Sequence, residues 1–230
     1  MVASDWEFKH RATVFGCIFG LSFPLYAVDP TNATQALVQW LARHWQVDTD
    51  ALTQALLLAA SVWLGAVAYV RTWASAYLEA GVVYASAVKS ARLVADGPYR
   101  HLRNPLYFAN VGLAIGMGAF MSRLGCLVAV VAMWVFCRRL ILREEAAFDA
   151  MGSASYQRYR QAVPRWWPSL APRTAAGGAP PNWSAAFKAE AWCWGYALAA
   201  LAFAVTFKFW LFATILAAAI VCFFSFNRDA

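Results

Sequence analysis

Charge is what this sequence has least of. Only 13% of its 230 residues are Asp, Glu, Lys or Arg, against about 25% in a soluble domain. Such a chain cannot solvate the surface of an ordinary soluble enzyme. It is also far too apolar to stay disordered. Histidine is scarce too: His10, His44 and His101 are the full set. No HExxH occurs, and no His/Cys cluster has metal-ligand spacing, so no metal site is expected. A Ser-His-Asp triad would have only His101 near other polar groups. Neither GxGxxG nor a P-loop is present, which removes the common nucleotide-binding loops. The five cysteines (Cys17, Cys126, Cys137, Cys193 and Cys222) all lie in apolar stretches without a CxxC spacing. They read as small buried hydrophobes, not as a disulfide scaffold.

What is there instead is apolar length. Hydrophobic residues make up 62% of the chain, in continuous runs at 12–28, 52–70, 106–122, 124–142 and 191–226. A β-barrel needs strict alternation, so the expected fold class is all-α, a polytopic membrane helical bundle. The first run follows Lys9, His10 and Arg11 in the manner of a signal peptide. Pro24 and Tyr26 near its end, with no A-x-A site after it, make it a first span. The last run would be roughly 54 Å as one helix, against a hydrocarbon core of about 30 Å. Lys208 is its only charge, so a turn at 206–208 and two short helices are expected. That gives about six spans.

Six spans return both termini to one side. With the N-terminus in the cytoplasm, sixteen of the nineteen Lys and Arg residues lie inside and only Arg43, Arg123 and Lys208 outside. The positive-inside rule favours this orientation. It also explains the net charge of +7 without nucleic acid as a partner. The expected organisation is a first span and external loop over 1–50 and a core over 51–168. A Pro/Gly-rich linker follows over 169–183, then a C-terminal transmembrane hairpin over 184–230. Gly112 and Gly116 suit close helix packing.

Three polar elements interrupt the runs. The first is RLVADGPYRHLRNPLY, 92–107. Asp96-Gly97-Pro98 is a turn signal. Asn104-Pro105 suits an N-cap followed by the first helical position, and free N–H groups there favour an anion. The alternative is a capped helix start held at the headgroups by its basic flanks. The second is RRLILREE, 138–145. Fourteen residues separate Arg123 from Arg138, roughly 21 Å of helix. Arg138 or Arg139 therefore snorkels or faces the bundle interior. A cation deep in lipid costs about 2.5–3.5 kcal/mol, so a helix that keeps one has a use for it, unless these charges form an interfacial collar. The third is Tyr156, Tyr159 and VPRWWP, 163–168, whose aromatics equally suit the lipid interface.

Read in order, Leu-Val-x-x-Gly-Pro-Tyr, Arg-x-Pro-x-Tyr, Glu-Glu and Gly-x-x-x-Tyr-x-x-Tyr-x-x-x-Val-Pro-Arg resemble the isoprenylcysteine carboxyl methyltransferase and phospholipid methyltransferase superfamily. The resemblance covers about 52–168. It implies a membrane methyltransferase that uses S-adenosylmethionine and releases S-adenosylhomocysteine. The implied pocket faces the cytoplasm and is closed by the segment after the last core span. The implied cofactor residues are Arg92, Leu93, Val94, Tyr99, Asn104, Pro105, Leu106, and Glu144 or Glu145. Arg139 and Asn104 fall at the reaction centre, with Arg139 offset by about one residue. Asn104 replaces the family's usual histidine. It can donate, accept and cap, but it carries no titrating proton. The implied substrate is a lipophilic molecule from the bilayer with a carboxylate or amine headgroup, and membrane lipids are the surroundings. A small transporter or lipid-binding protein, or an inactive fold relative, stays open beside this reading. The methyl acceptor and the oligomeric state are left open too.

Overall fold

Continuous apolar runs leave the backbone no partner but itself in lipid, and they wind into helices. The structure is a computed structural model that describes residues 1–78 and 94–226. Ten α-helices occur among the described residues: α1 (Asp5–Lys9), α2 (Arg11–Ser22), α3 (Ala33–His44), α4 (Thr49–Ser75), α5 (Pro105–Gly118), α6 (Arg123–Ala150), α7 (Ala154–Ala162), α8 (Trp183–Ala189), α9 (Ala191–Thr206) and α10 (Phe209–Phe226). Local chemistry sets their starts. Ser4 and Glu7 form a capping box on α1, Asn32 caps α3, Asp48 caps α4 and Ser122 caps α6.

Helices α4, α6 and α10 are long and apolar enough to cross a membrane, and α8 with α9 makes a fourth candidate bent by 62°. Helix α5 and the stretch formed by α2 with its 3-10 extension (Phe23–Ala27) are apolar but shorter. With 14 residues, α5 is about 21 Å long, below the thickness of the hydrocarbon core. Six spans are expected; among the described residues three helices reach spanning length singly, or four spans with the bent pair.

The last run breaks where Lys208 predicted. Phe207 adopts the left-handed conformation at φ 54°, and α10 starts two residues later. Helix α5 stops at Gly118, short of the expected Ser122. The chain there turns to meet the loop after α2: Asn32 Nδ2 donates to the carbonyls of Ala119 and Met121, and Thr34 to Ala119.

The core lies between α4, α5 and α9. Leu64, Leu113, Met117 and Met121 are fully buried in it, with Ala199 and Ala200 of α9. Gly112 and Gly116 let α5 close on α4, since a Cβ at Gly116 would lie 2.7 Å from Leu64 Cδ2. Trp63 Nε1 donates to the Gly112 carbonyl at 2.7 Å across the same seam. Helices α4 and α9 run antiparallel. Gln54 reaches the Ala204 carbonyl at one end, and Arg71 reaches Glu190 at the other.

Candidate functional site

The polar groups that the bundle retains gather where α5 begins and α6 ends. Gly97, at φ 54°, turns the chain through a short 3-10 helix (Gly97–Arg100), and Pro105 opens α5 five residues later. Asn104 holds the N-cap position, but its side chain does not cap. It donates instead to the Arg165 carbonyl at 3.4 Å. The asparagine is thereby recruited by the segment after α7.

That segment closes over the turn. Tyr159 of α7 donates to the Tyr99 carbonyl at 2.8 Å. The Arg103 amide donates to the Pro164 carbonyl at 2.9 Å, and the Ser169 amide to that of His101 at 3.0 Å. Farther on, the Asp96 carboxylate accepts from the amides of Gly177 and Ala179 at 2.6 and 3.1 Å. The stretch expected to be a linker therefore includes a strap bonded to the motif turn.

Inside this enclosure the two glutamates have different partners. Glu145 is buried and ion-paired on both sides. Arg165 Nη2 stands 2.6 Å from one oxygen, and Arg103 Nη1 stands 3.3 Å from the other. Glu144 accepts a hydrogen bond from the Tyr107 hydroxyl at 2.6 Å. Arg11, at the start of α2, lies within electrostatic reach of both Tyr107 and Glu144. Tyr99 and Tyr156 are buried as well. Burial pushes the Tyr99 phenol far above its ordinary range. Tyr159, Glu144 and Glu190 push the same way, while Arg71 opposes them. Burial raises Tyr156 and Tyr159 as well. These phenols stay neutral across physiological pH and serve as donors and walls, not bases.

Some buried polar atoms make no hydrogen bond among the described residues: Arg103 Nε, Arg103 Nη1 (which has only its 3.3 Å ion pair with Glu145), the Tyr156 hydroxyl and Arg139 Nε. Buried polar groups are nearly always bonded in folded proteins. Arg103 and the Tyr156 hydroxyl stand in the same enclosure as Glu145, where orphaned donors mark room for an acceptor.

Of the residues singled out from the sequence, Tyr99, Asn104, Pro105, Leu106, Glu144 and Glu145 belong to this region. Val94, half-buried, precedes the turn. Arg92 and Leu93 lie outside the described residues. Arg139 faces elsewhere. Its Nη2 pairs with Glu7 of α1 at 2.7 Å and donates to the Val2 carbonyl at 3.3 Å, so α1 covers that face of α6. Tyr156 and Tyr159, which equally suited the lipid interface, are interior, while Trp167 is exposed.

Sequence reasoning missed a second cluster. Arg71 of α4 donates to both oxygens of Glu190, at 2.6 and 3.1 Å, and to Asn110 Oδ1. Ser75 donates to Glu190 at 2.6 Å. Arg71 is 4% exposed, and Glu190 is fully buried. The available signal was a lone arginine and a lone glutamate abutting apolar runs.

A shallow groove of about 440 Å³ runs between α9 and α10, lined by Phe187, Trp194, Leu198, Ile215 and Cys222 among others. It contains no charged group and does not compete as a site of chemistry.

Comparison with known proteins agrees with the motif reading. Residues 54–150 match the isoprenylcysteine carboxyl methyltransferase family. The cobalt-zinc-cadmium resistance protein CzcN of Cupriavidus metallidurans is 28% identical over 160 residues, covering 61% of this chain and 71% of that one. The nickel-cobalt-cadmium resistance protein NccN of Alcaligenes xylosoxydans xylosoxydans is 24% identical over 134 residues, covering 58% of this chain and 60% of that one. No solved structure matches.

Proposed function

Because residues 54–150 carry the isoprenylcysteine carboxyl methyltransferase match, we propose that this chain is an S-adenosylmethionine-dependent membrane methyltransferase. Its acceptor is a lipophilic molecule with a carboxylate or amine headgroup, drawn from the bilayer. The observation that carries the reading is the juxtaposition of Glu144, Glu145, Arg103 and Tyr156 beneath the motif turn, where Arg103 Nε and the Tyr156 hydroxyl make no hydrogen bond among the described residues.

The donor set fits the cofactor's amino-acid end, which is a zwitterion and needs both an acceptor and a donor. Glu144, held by one phenol, is the acceptor for the ammonium or the ribose hydroxyls. Arg103, with the Tyr156 hydroxyl, is the donor for the carboxylate, helped by the free amides at the start of α5. Tyr99 supplies a flat buried wall. Glu145 holds Arg103 and Arg165 in place. When bound, the cofactor supplies a methyl group on a sulfonium, which an oxygen or nitrogen nucleophile of the acceptor takes in line. The chain's part in that transfer is to align the two partners and exclude water; no strong acid is required. The strap over the motif turn and the half-buried Asn104 serve that exclusion. Arg139 then acts on an anionic headgroup only once α1 releases it.

On a six-span reading, the positive-inside rule assigns sixteen of nineteen Lys and Arg residues to the side that carries the motif turn, which supports a cytoplasmic face with both termini there. The resistance in the two relatives' names does not specify an acceptor. Among the described residues no group of three or more His, Cys, Asp or Glu is gathered for a metal ion, and no metal-holding role is proposed.

The test is calorimetric titration of the detergent-purified protein with S-adenosylhomocysteine. Micromolar binding that disappears in Tyr99→Ala is expected. A folded, monodisperse protein that does not bind would end this reading.

A further inference from the structure

We propose that Glu190, which lies outside the family-matched segment, is a positioning residue for the candidate cofactor site, acting through Arg71 on the first turns of α5. The idea rests on the methyltransferase reading for what is positioned, but not for the coupling itself.

The geometry runs in one direction. Glu190 sits at the elbow where α8 and α9 meet at 62°. It occupies the N-cap position of α9, yet its side chain makes no cap hydrogen bond there. Both oxygens turn inward. One accepts from Arg71 Nε, the other from Arg71 Nη2 and the Ser75 hydroxyl. This fixes the guanidinium plane, because two parallel bonds to one carboxylate leave it no rotation. Trp192 lies 5.0 Å from the guanidinium centre and covers it. The remaining nitrogen, Nη1, is then aimed at α5. It donates to Asn110 Oδ1 and lies 3.5 Å from the Leu106 carbonyl.

Leu106 and Asn110 stand on successive turns of α5, directly after Asn104 and Pro105. The grip is therefore on the helix start that carries the motif. The cluster and the site also share an electrostatic field, since Glu190 and Arg71 of the cluster and Glu144 of the site all act on Tyr99. A buried ion pair is weak evidence for stability, because desolvation offsets the attraction. Its retention in so apolar a bundle is accounted for by what it orients. The C-terminal helices thus help to build the site instead of merely following it.

The experiment uses the full chain in detergent and two measurements. One is amide hydrogen exchange resolved over 96–112. The other is S-adenosylhomocysteine affinity. In Glu190→Ala, exchange of the amides at 106–110 is expected to rise at least tenfold while the middle of α6 stays protected. Affinity should fall at least tenfold. Glu190→Gln, which keeps the shape and one acceptor, should recover part of both. Ser75→Ala loosens Glu190 without removing the charge and should show a smaller change at the same amides; it decides the matter if Glu190→Ala fails to fold. A rise spread evenly over all helices, or none at 106–110, overturns the proposal. If the native chain does not bind S-adenosylhomocysteine, the methyltransferase reading falls, and the exchange data still decide the coupling.

Discussion

The Tyr159 hydroxyl donates to the backbone carbonyl of Tyr99 at 2.8 Å, across 60 residues of chain. This bond fastens α7 to the motif turn and sets the height of the wall that Tyr99 presents. Tyr159→Phe leaves the buried carbonyl without its partner at a cost of about 1–3 kcal/mol. The variant is expected to fold with a lowered melting temperature and to bind S-adenosylhomocysteine roughly tenfold more weakly. Calorimetry beside a thermal melt checks both, and full affinity in a folded variant would show that α7 does not set the site.

Glu144 and Glu145 are neighbours with separable roles. Glu145 balances Arg103 and Arg165, so Glu145→Gln leaves a nearly buried arginine without its anion, at about 3–5 kcal/mol by analogy with broken buried pairs. Glu144 accepts from the Tyr107 phenol and lies within electrostatic reach of Arg11. Glu144→Gln should therefore cost little stability and most of the cofactor affinity. The reverse pattern, a stable Glu145→Gln and an unfolded Glu144→Gln, would exchange the two assignments.

Much of the fold was legible because burial in lipid is a local property. The continuous runs, the break beside Lys208 and the close approach at Gly112 and Gly116 follow from residue character at neighbouring positions. The motif turn was legible too, since Gly97 permits the positive φ the turn needs and Pro105 fixes φ at the helix start. The charge pairs were not. Arg71 meets Glu190 across 119 residues, and Arg139 meets Glu7 across 132. No periodicity reports such meetings, which depend on how the helices stack. The strap after Val163 was hidden for a related reason. Its Pro, Ala and Gly residues look unattached, and its anchor is the Asp96 carboxylate, a side chain in another element. Glu144 and Glu145 likewise look alike in the sequence and differ only in the partners that the fold brings to them.

The α4–α5 seam gives a packing test. A Cβ at Gly116 would meet Leu64 Cδ2 at 2.7 Å and Trp63 Cδ1 at 2.9 Å, whereas Gly16 and Gly20 have nothing within 4 Å. Gly116→Ala forces two interlocked side chains apart and should cost about 1–3 kcal/mol. Gly16→Ala should be neutral or slightly stabilising, because alanine is the better helix former. Thermal melts of the two variants in the same detergent compare them directly. Equal melting temperatures would mean that the helices are not so closely packed.

Arg139 is held by Glu7, and that contact carries a pH dependence whose sign is fixed. The Ser4 amide is the leading cause that draws the Glu7 carboxyl below its ordinary value of 4.5. Partial burial opposes this, while the Ser4 hydroxyl and Arg139 add to the lowering. A carboxyl with a depressed folded value stabilises the docked state above the unfolded value and loses that contribution as pH falls through the folded one. The α1 contact should thus be intact at neutral pH and come away in acid, below the usual glutamate range. The pair is partly exposed, so salt should weaken it. Glu7→Gln should loosen α1 at neutral pH and flatten the response. Limited proteolysis of residues 1–9 against pH, in native protein and in Glu7→Gln, reads this out. Cleavage that ignores pH in the native chain would show that α1 is held by the buried Phe8 instead, leaving Arg139 free of this control.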